Sequence, residues 1–268
     1  MAAVTGSKKD VIDVKLPMSW GKLTQRQLRD TFRLIAMNLD RDAIKSSAFI
    51  LWAGLRVIAS DTEKMRFLVE TRDRKRFFIT AVQIAEAAMS LEFLNDVPES
   101  PVRLERIGDY KAVDAGLNGF TLEEFIICDN LYAGYLKTKR DDLLLMMAEK
   151  LYRCRKSDKK KVKGLNHDKA MLLSVFYWWI SLKDMFAREF PFLFSSADVE
   201  TGDGNLLGDF RSERRKLREN ADAMVRALTK GDVTKEKEVL QTDVWRAFAE
   251  LNAQAKEYQE MKAKYKLS

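Results

Sequence analysis

The 268 residues include one histidine, His167, two cysteines, Cys128 and Cys154, 4 prolines and 12 glycines. Each scarcity excludes something. One histidine rules out a three-histidine zinc site within one chain and leaves a single candidate for imidazole chemistry. Two cysteines lying 26 positions apart make no disulfide framework, and both read as reduced thiols. Low glycine and proline argue against a turn-rich all-β fold and favour long helices. The longest uncharged apolar run, residues 170–182, falls well short of the roughly 20 residues a bilayer span needs. Residues 1–10 show no signal-peptide pattern, so neither secretion nor membrane insertion is expected.

Enzyme signatures are also missing. There is no Gly-x-x-x-x-Gly-Lys-Ser/Thr phosphate loop and no Gly-x-Ser-x-Gly elbow. Gly202, Gly204 and Gly208 follow no predicted strand, and Asp198, Asp203, Asn205 and Asp209 miss the calcium-loop spacing. The acidic pairs Glu123–Glu124 and Asp141–Asp142 fall in predicted first turns, where capping and the helix dipole account for them. His167, at a predicted helix start, reads as a cap-region residue rather than a general base. The expectation is a protein with no catalytic residues, no cofactor and no metal.

What is present is helical pattern. With 46% hydrophobic and 32% charged residues, the chain has the composition of a folded domain. Thr24–Gln27, Thr80–Gln83 and Thr121–Glu124 each have capping-box spacing ahead of an apolar-periodic stretch. Leu28, Phe32, Ile35 and Leu39 lie on one helical face, and a second helix is predicted over 43–59. Leu144, Met147, Ala148 and Leu151 point inward from a helix opened by Asp141 or Asp142. A strongly apolar helix runs from 166 or 167 to Phe190, and further helices are predicted over 211–228 and 235–264. Residues 11–16 suggest a short edge strand, and 65–79 a β-hairpin with a charged tip at 71–76. The predicted fold is mainly α: a multi-helix globular bundle with a small β-hairpin near 65–79 and a long C-terminal amphipathic helix. The expected organisation is a flexible N-terminus (1–14), a helical domain (15–156), a basic connector (157–165) and a helical C-terminal region (166–268) that belongs to the same domain or to a second one.

Four features offer contact chemistry. Residues 150–163 carry Lys150, Arg153, Arg155, Lys156, Lys159, Lys160, Lys161 and Lys163 against Asp158, a local sum of +7 that equals the formal charge of the whole chain. Such a tract either binds phosphates or an acidic partner, or is a solvated helix end and loop. The aromatic block Phe176–Tyr177–Trp178–Trp179 is either a core helix or a partner hot spot. The hairpin tip, with Arg72, Arg74, Lys75 and Arg76, is either solvated or touches an acidic partner. Val244, Phe248, Leu251, Ala255 and Tyr258 alternate spacings of four and three, a short heptad seam. That seam packs either within the chain or against a second copy or partner.

Three phrases resemble small helical proteins encoded among the structural and tail-assembly genes of tailed bacteriophages and prophages, of the tail assembly chaperone kind. They are Leu16-Pro17-Met18-Ser19-Trp20 followed by Leu23-Thr24; Phe120-Thr121-Leu122-Glu123-Glu124-Phe125 followed by a tyrosine-rich helix; and Thr138 with Asp141, Leu145, Ala148 and Leu151-Tyr152-Arg153. Together they cover residues 15–155. The resemblance implies a non-enzymatic virion structural or assembly protein, tail-related, that acts on other phage structural proteins in the host cytoplasm or the virion. It transfers no catalytic residues. The alternative is a nucleic-acid-binding accessory protein using residues 150–163.

Overall fold

The computed structural model describes residues 2–6, 10–154, 168–194 and 210–266. Their order begins β1 (Ala2–Gly6), β2 (Asp10–Val14), α1 (Gln25–Ala36), α2 (Arg41–Trp52), β3 (Arg56–Asp61), β4 (Arg66–Glu70), β5 (Arg76–Thr80) and α3 (Ala81–Ala88). It continues β6 (Arg106–Ile107), β7 (Tyr110–Ala112), α4 (Leu122–Thr138), α5 (Asp141–Leu151), β8 (Tyr152–Cys154) and α6 (Lys169–Glu189). Last come α7 (Pro191–Phe194), α8 (Phe210–Thr229), α9 (Glu236–Leu240) and α10 (Val244–Lys266). The protein is mainly α with small antiparallel sheets, as the pattern predicts.

The chain forms two compact units, Met1–Ile107 with Gly164–Ser181, and Gly108–Lys163 with Leu182–Ser268. The division does not follow the linear order 15–156, 157–165, 166–268. Helix α6 is divided between them, its residues up to Ser181 in the first unit and those from Leu182 in the second.

In the first unit the three strands β3–β4–β5 form an antiparallel meander. The hairpin predicted over 65–79 is its β4–β5 part, in the register Phe67↔Ile79 and Val69↔Phe77. The third strand corrects the helix predicted over 43–59. Helix α2 ends at Trp52, where the Gly54 N–H donates to Leu51 O at 3.2 Å and the Leu55 N–H to Ile50 O at 3.0 Å. That is a Schellman cap, and Gly54 takes the left-handed φ of 69° it requires. Beyond the cap, Val57 and Ile58 are β-branched and continue as strand. Within 1–14, expected as a flexible terminus, β1 and β2 pair antiparallel, so the strand expected near 11–16 finds its partner in residues whose small side chains did not announce one.

Two apolar groups fill this unit. Phe49, Val69, Ile79, Ala87 and Leu91 belong to one, which joins α2 and α3 to the inner sheet face. Trp20, Leu28, Phe32, Leu104 and Ala170 form the other. Trp20 donates its indole N–H to Phe93 O at 2.8 Å and lies 6.0 Å from the Tyr177 ring.

In the second unit Leu144, Met147, Ala148 and Leu151 of α5 are fully buried, in agreement with the predicted inward face. β7 pairs antiparallel with β8, an element that helical periodicity had hidden. Phe125, Phe186, Trp245 and Phe248 form an edge-to-face aromatic cluster, with Phe125 and Phe248 4.9 Å apart and Phe186 and Trp245 5.2 Å apart. The single helix predicted over 235–264 is in fact α9 and α10, separated at 241–243. There Asp243 turns its side chain to accept the Trp245 N–H at 3.0 Å, so α10 starts from a new cap.

Candidate interaction surfaces

The basic tract is described only in part. Lys150, in the last turn of α5, is exposed. Arg153, on β8, donates one guanidinium nitrogen to both carboxylate oxygens of Glu124, at 2.9 and 3.1 Å. Glu124 is itself the third residue of the α4 capping box, its carboxylate accepting the Thr121 N–H at 3.1 Å. Arg153 therefore ties a strand to a helix start inside its own unit. Arg155, Lys156, Lys159, Lys160, Lys161 and Lys163 lie outside the described residues, as do His167, Asp198, Asp203, Asn205 and Asp209.

The heptad seam splits along α10. Val244 and Phe248 are fully buried and Leu251 nearly so, so these three take the within-chain reading and are not partner contacts; Phe248 packs on Phe125, Phe186 and Phe194 of the same unit. Ala255 is half-buried. Tyr258 is 63% exposed and Met261 52%. Every residue from 256 to 264 is exposed, so α10 extends more than two turns beyond the aromatic cluster that anchors its start.

The aromatic block of α6 is core. Trp178 and Trp179 are fully buried. Tyr177 lies 5.7 Å from Phe32, and burial pushes its phenol above the ordinary range.

The outer face of the meander has an order that helix-oriented reading missed. Val69 and Ile79 are fully buried, so their strand neighbours point outward in alternation. Directly opposed residues make three rows across the sheet. Asp61 pairs with Arg66 at 3.0 Å at one end. Ala59, Leu68 and Phe78 lie across the middle. At the hairpin end, Glu70 sits between Arg56 and Arg76, at 3.9 and 2.9 Å. The Arg76 hydrogen bond holds the Glu70 carboxyl below its usual range. Phe78 is 48% exposed, with the Arg66 guanidinium 4.3 Å above its ring. The alternation in residues 66–70 and 76–80 was the available signal; the third strand was not.

Cys128 is fully buried, and desolvation raises its thiol far above the ordinary value, so it stays protonated. Asp142 accepts two hydrogen bonds from Arg140, at 3.0 and 2.6 Å, which hold its carboxyl low at the start of α5. A shallow hollow of about 410 Å³ lies between Glu123, Thr234, Glu236, Lys237 and Gln241, where Gln241 donates to Glu123 at 2.8 Å. No group of three or more His, Cys, Asp or Glu that could hold a metal occurs among the described residues. No described helix is long and apolar enough to cross a membrane. Comparison with protein-family models, with curated proteins and with solved structures finds no match for this chain.

Proposed function

We propose that this chain is a non-enzymatic structural or assembly protein of a tailed phage or prophage virion, tail-related, working through protein–protein contacts. The observation that carries the reading is the distal part of α10. A helix whose first two turns are held in an aromatic core continues into solvent with Tyr258 63% and Met261 52% exposed. A helix segment so exposed gains little from propensity alone, and a partner burying Tyr258 and Met261 would order it. The short phrases within 15–155 that resemble phage tail-assembly proteins supply the context. Of the tract that the nucleic-acid alternative would use, Arg153 is engaged by Glu124 and residues 155–163 lie outside the described residues.

Native mass spectrometry tests the reading, on the purified chain alone and co-expressed with tailed-phage virion proteins. The expected result is a homo-oligomer or a complex with a virion protein, abolished by Tyr258→Ser with Met261→Ser. A strict monomer that captures no virion protein overturns it.

A further inference from the structure

The outer face of β3–β4–β5 is polarised. Its hairpin end carries Arg56 and Arg76, and the turn between β4 and β5 adds Arg72, Arg74 and Lys75 against Asp73. Glu70 already serves Arg56 and Arg76. Arg74 and Lys75 are exposed and form no ion pair among the described residues. The excess of positive charge therefore lies at the turn, where Arg74 also acts on Glu70 at longer range. Two residues along each strand from the Glu70–Arg76 row, and three from Lys75 (about 10 Å), the surface becomes apolar at Leu68 and Phe78.

We propose that this face docks an acidic, extended segment of another protein, whose carboxylates meet Arg74 and Lys75 and whose next apolar side chain lies across Leu68 and Phe78. The charge at the turn calls for an anionic occupant, and the apolar row limits which kind. A nucleic-acid strand would carry its phosphates past Glu70 and Asp61, which stand in the same outward rows. Phe78 has one ring face covered by Arg66, which halves the platform available to a base. A peptide can place carboxylates at the turn and an aliphatic side chain over the apolar row, since its side chains vary along the strand. The irregularity between Val57 and Ala59 kinks the free edge of β3, so the occupant lies across the face rather than extending the sheet. This inference rests on the sheet alone and is independent of what α10 binds.

Fluorescence anisotropy with the intact chain tests it, using a labelled peptide of Glu-Glu-Thr-Leu repeats, a Lys-Lys-Thr-Leu counterpart and an oligothymidylate of similar length. The acidic peptide is expected to bind, more weakly as salt rises, and the other two are not. Arg74→Asn with Lys75→Gln should weaken binding about tenfold and flatten its salt dependence. Asparagine suits the left-handed φ of 61° at position 74, so this variant keeps the turn. Phe78→Thr should weaken binding while leaving the salt dependence as it was. Failure of the acidic peptide to bind, equal binding of the lysine peptide, preference for oligothymidylate, or undiminished binding by the Arg74/Lys75 variant each overturns the proposal.

Discussion

Thr121 and Asp243 pair as a single antiparallel β-bridge, and each is followed at once by a helix, α4 after the first and α10 after the second. The Leu122 N–H donates to Thr242 O and the Val244 N–H to Phe120 O, both at 2.9 Å. A helix start leaves backbone donors without internal partners, and here each start borrows a carbonyl from the other. Asp243 completes the junction by accepting the Gly119 N–H through Oδ2 at 2.7 Å and the Trp245 N–H through Oδ1 at 3.0 Å.

Asp243→Ala removes a cap and a loop tether together. The expected loss is about 1–2 kcal/mol in urea unfolding, and Asp243→Asn, with one acceptor oxygen, should restore the cap but not the Gly119 tether. A loss confined to a few tenths would show that the backbone bridge holds the junction without the carboxylate.

Two helix ends should respond with opposite signs. At Gly54, φ is 69°, and a methyl group would sit 3.0 Å from Arg72 Nε. Gly54→Ala should cost about 1 kcal/mol or more. Lys230 occupies the corresponding position after α8 with φ 54°, where the Gly231 N–H donates to Arg226 O. Lys230→Gly should stabilise by about 0.5–1 kcal/mol. Melting temperatures of the two variants decide both.

Lys45 is buried, and its amine meets Glu92 at 2.6 Å and Asp42 at 3.0 Å. The hydrogen bond to Glu92 leads in raising its pKa above 10.5, so the folded state holds the proton more tightly than the unfolded state. That contribution is complete below 10.5 and disappears as pH rises through the higher folded value. Unfolding followed across this alkaline range should show a decline that Lys45→Met flattens. Parallel profiles for the two proteins would remove Lys45 as its cause.

Along α10 the same helix should give two different responses. Phe248 is fully buried among aromatic rings, and Phe248→Ala should cost about 3–5 kcal/mol. Tyr258→Ser should change stability by less than about 0.5 kcal/mol, because the side chain covers no core. Chemical denaturation of the two variants separates the anchored part of the helix from the free part.

Much of the helical scaffold was legible locally. The capping boxes at Thr24–Gln27, Thr80–Gln83 and Thr121–Glu124 all form, because both of their bonds lie within one turn. The inward face of α5 and the β4–β5 hairpin follow from periodicities of 3.6 and 2. Strand β3 was hidden because Ala59 and its neighbours extend an apolar pattern past Gly54, and a Schellman cap depends on backbone conformation. The break at 241–243 was hidden for a related reason: the Asp243–Trp245 cap is local, but the bridge to Thr121 and the Gly119 bond that hold the chain open there come from a distant segment.

Sequence alone determined the class of fold, most helix starts and the identity of the charged tracts, since composition, capping and periodicity are properties of neighbouring residues. Which apolar faces stay outside was decided only by tertiary structure. Val244, Phe248, Leu251 and Tyr258 belong to one spacing pattern, yet the first three meet core or aromatic neighbours brought from distant segments and the last meets solvent. Arg153 and Arg74 are likewise both arginines in charged stretches, but Glu124 bonds the first directly while the second acts on Glu70 only at longer range. Burial and charge compensation depend on what the rest of the chain places nearby, and that is a property of the folded molecule.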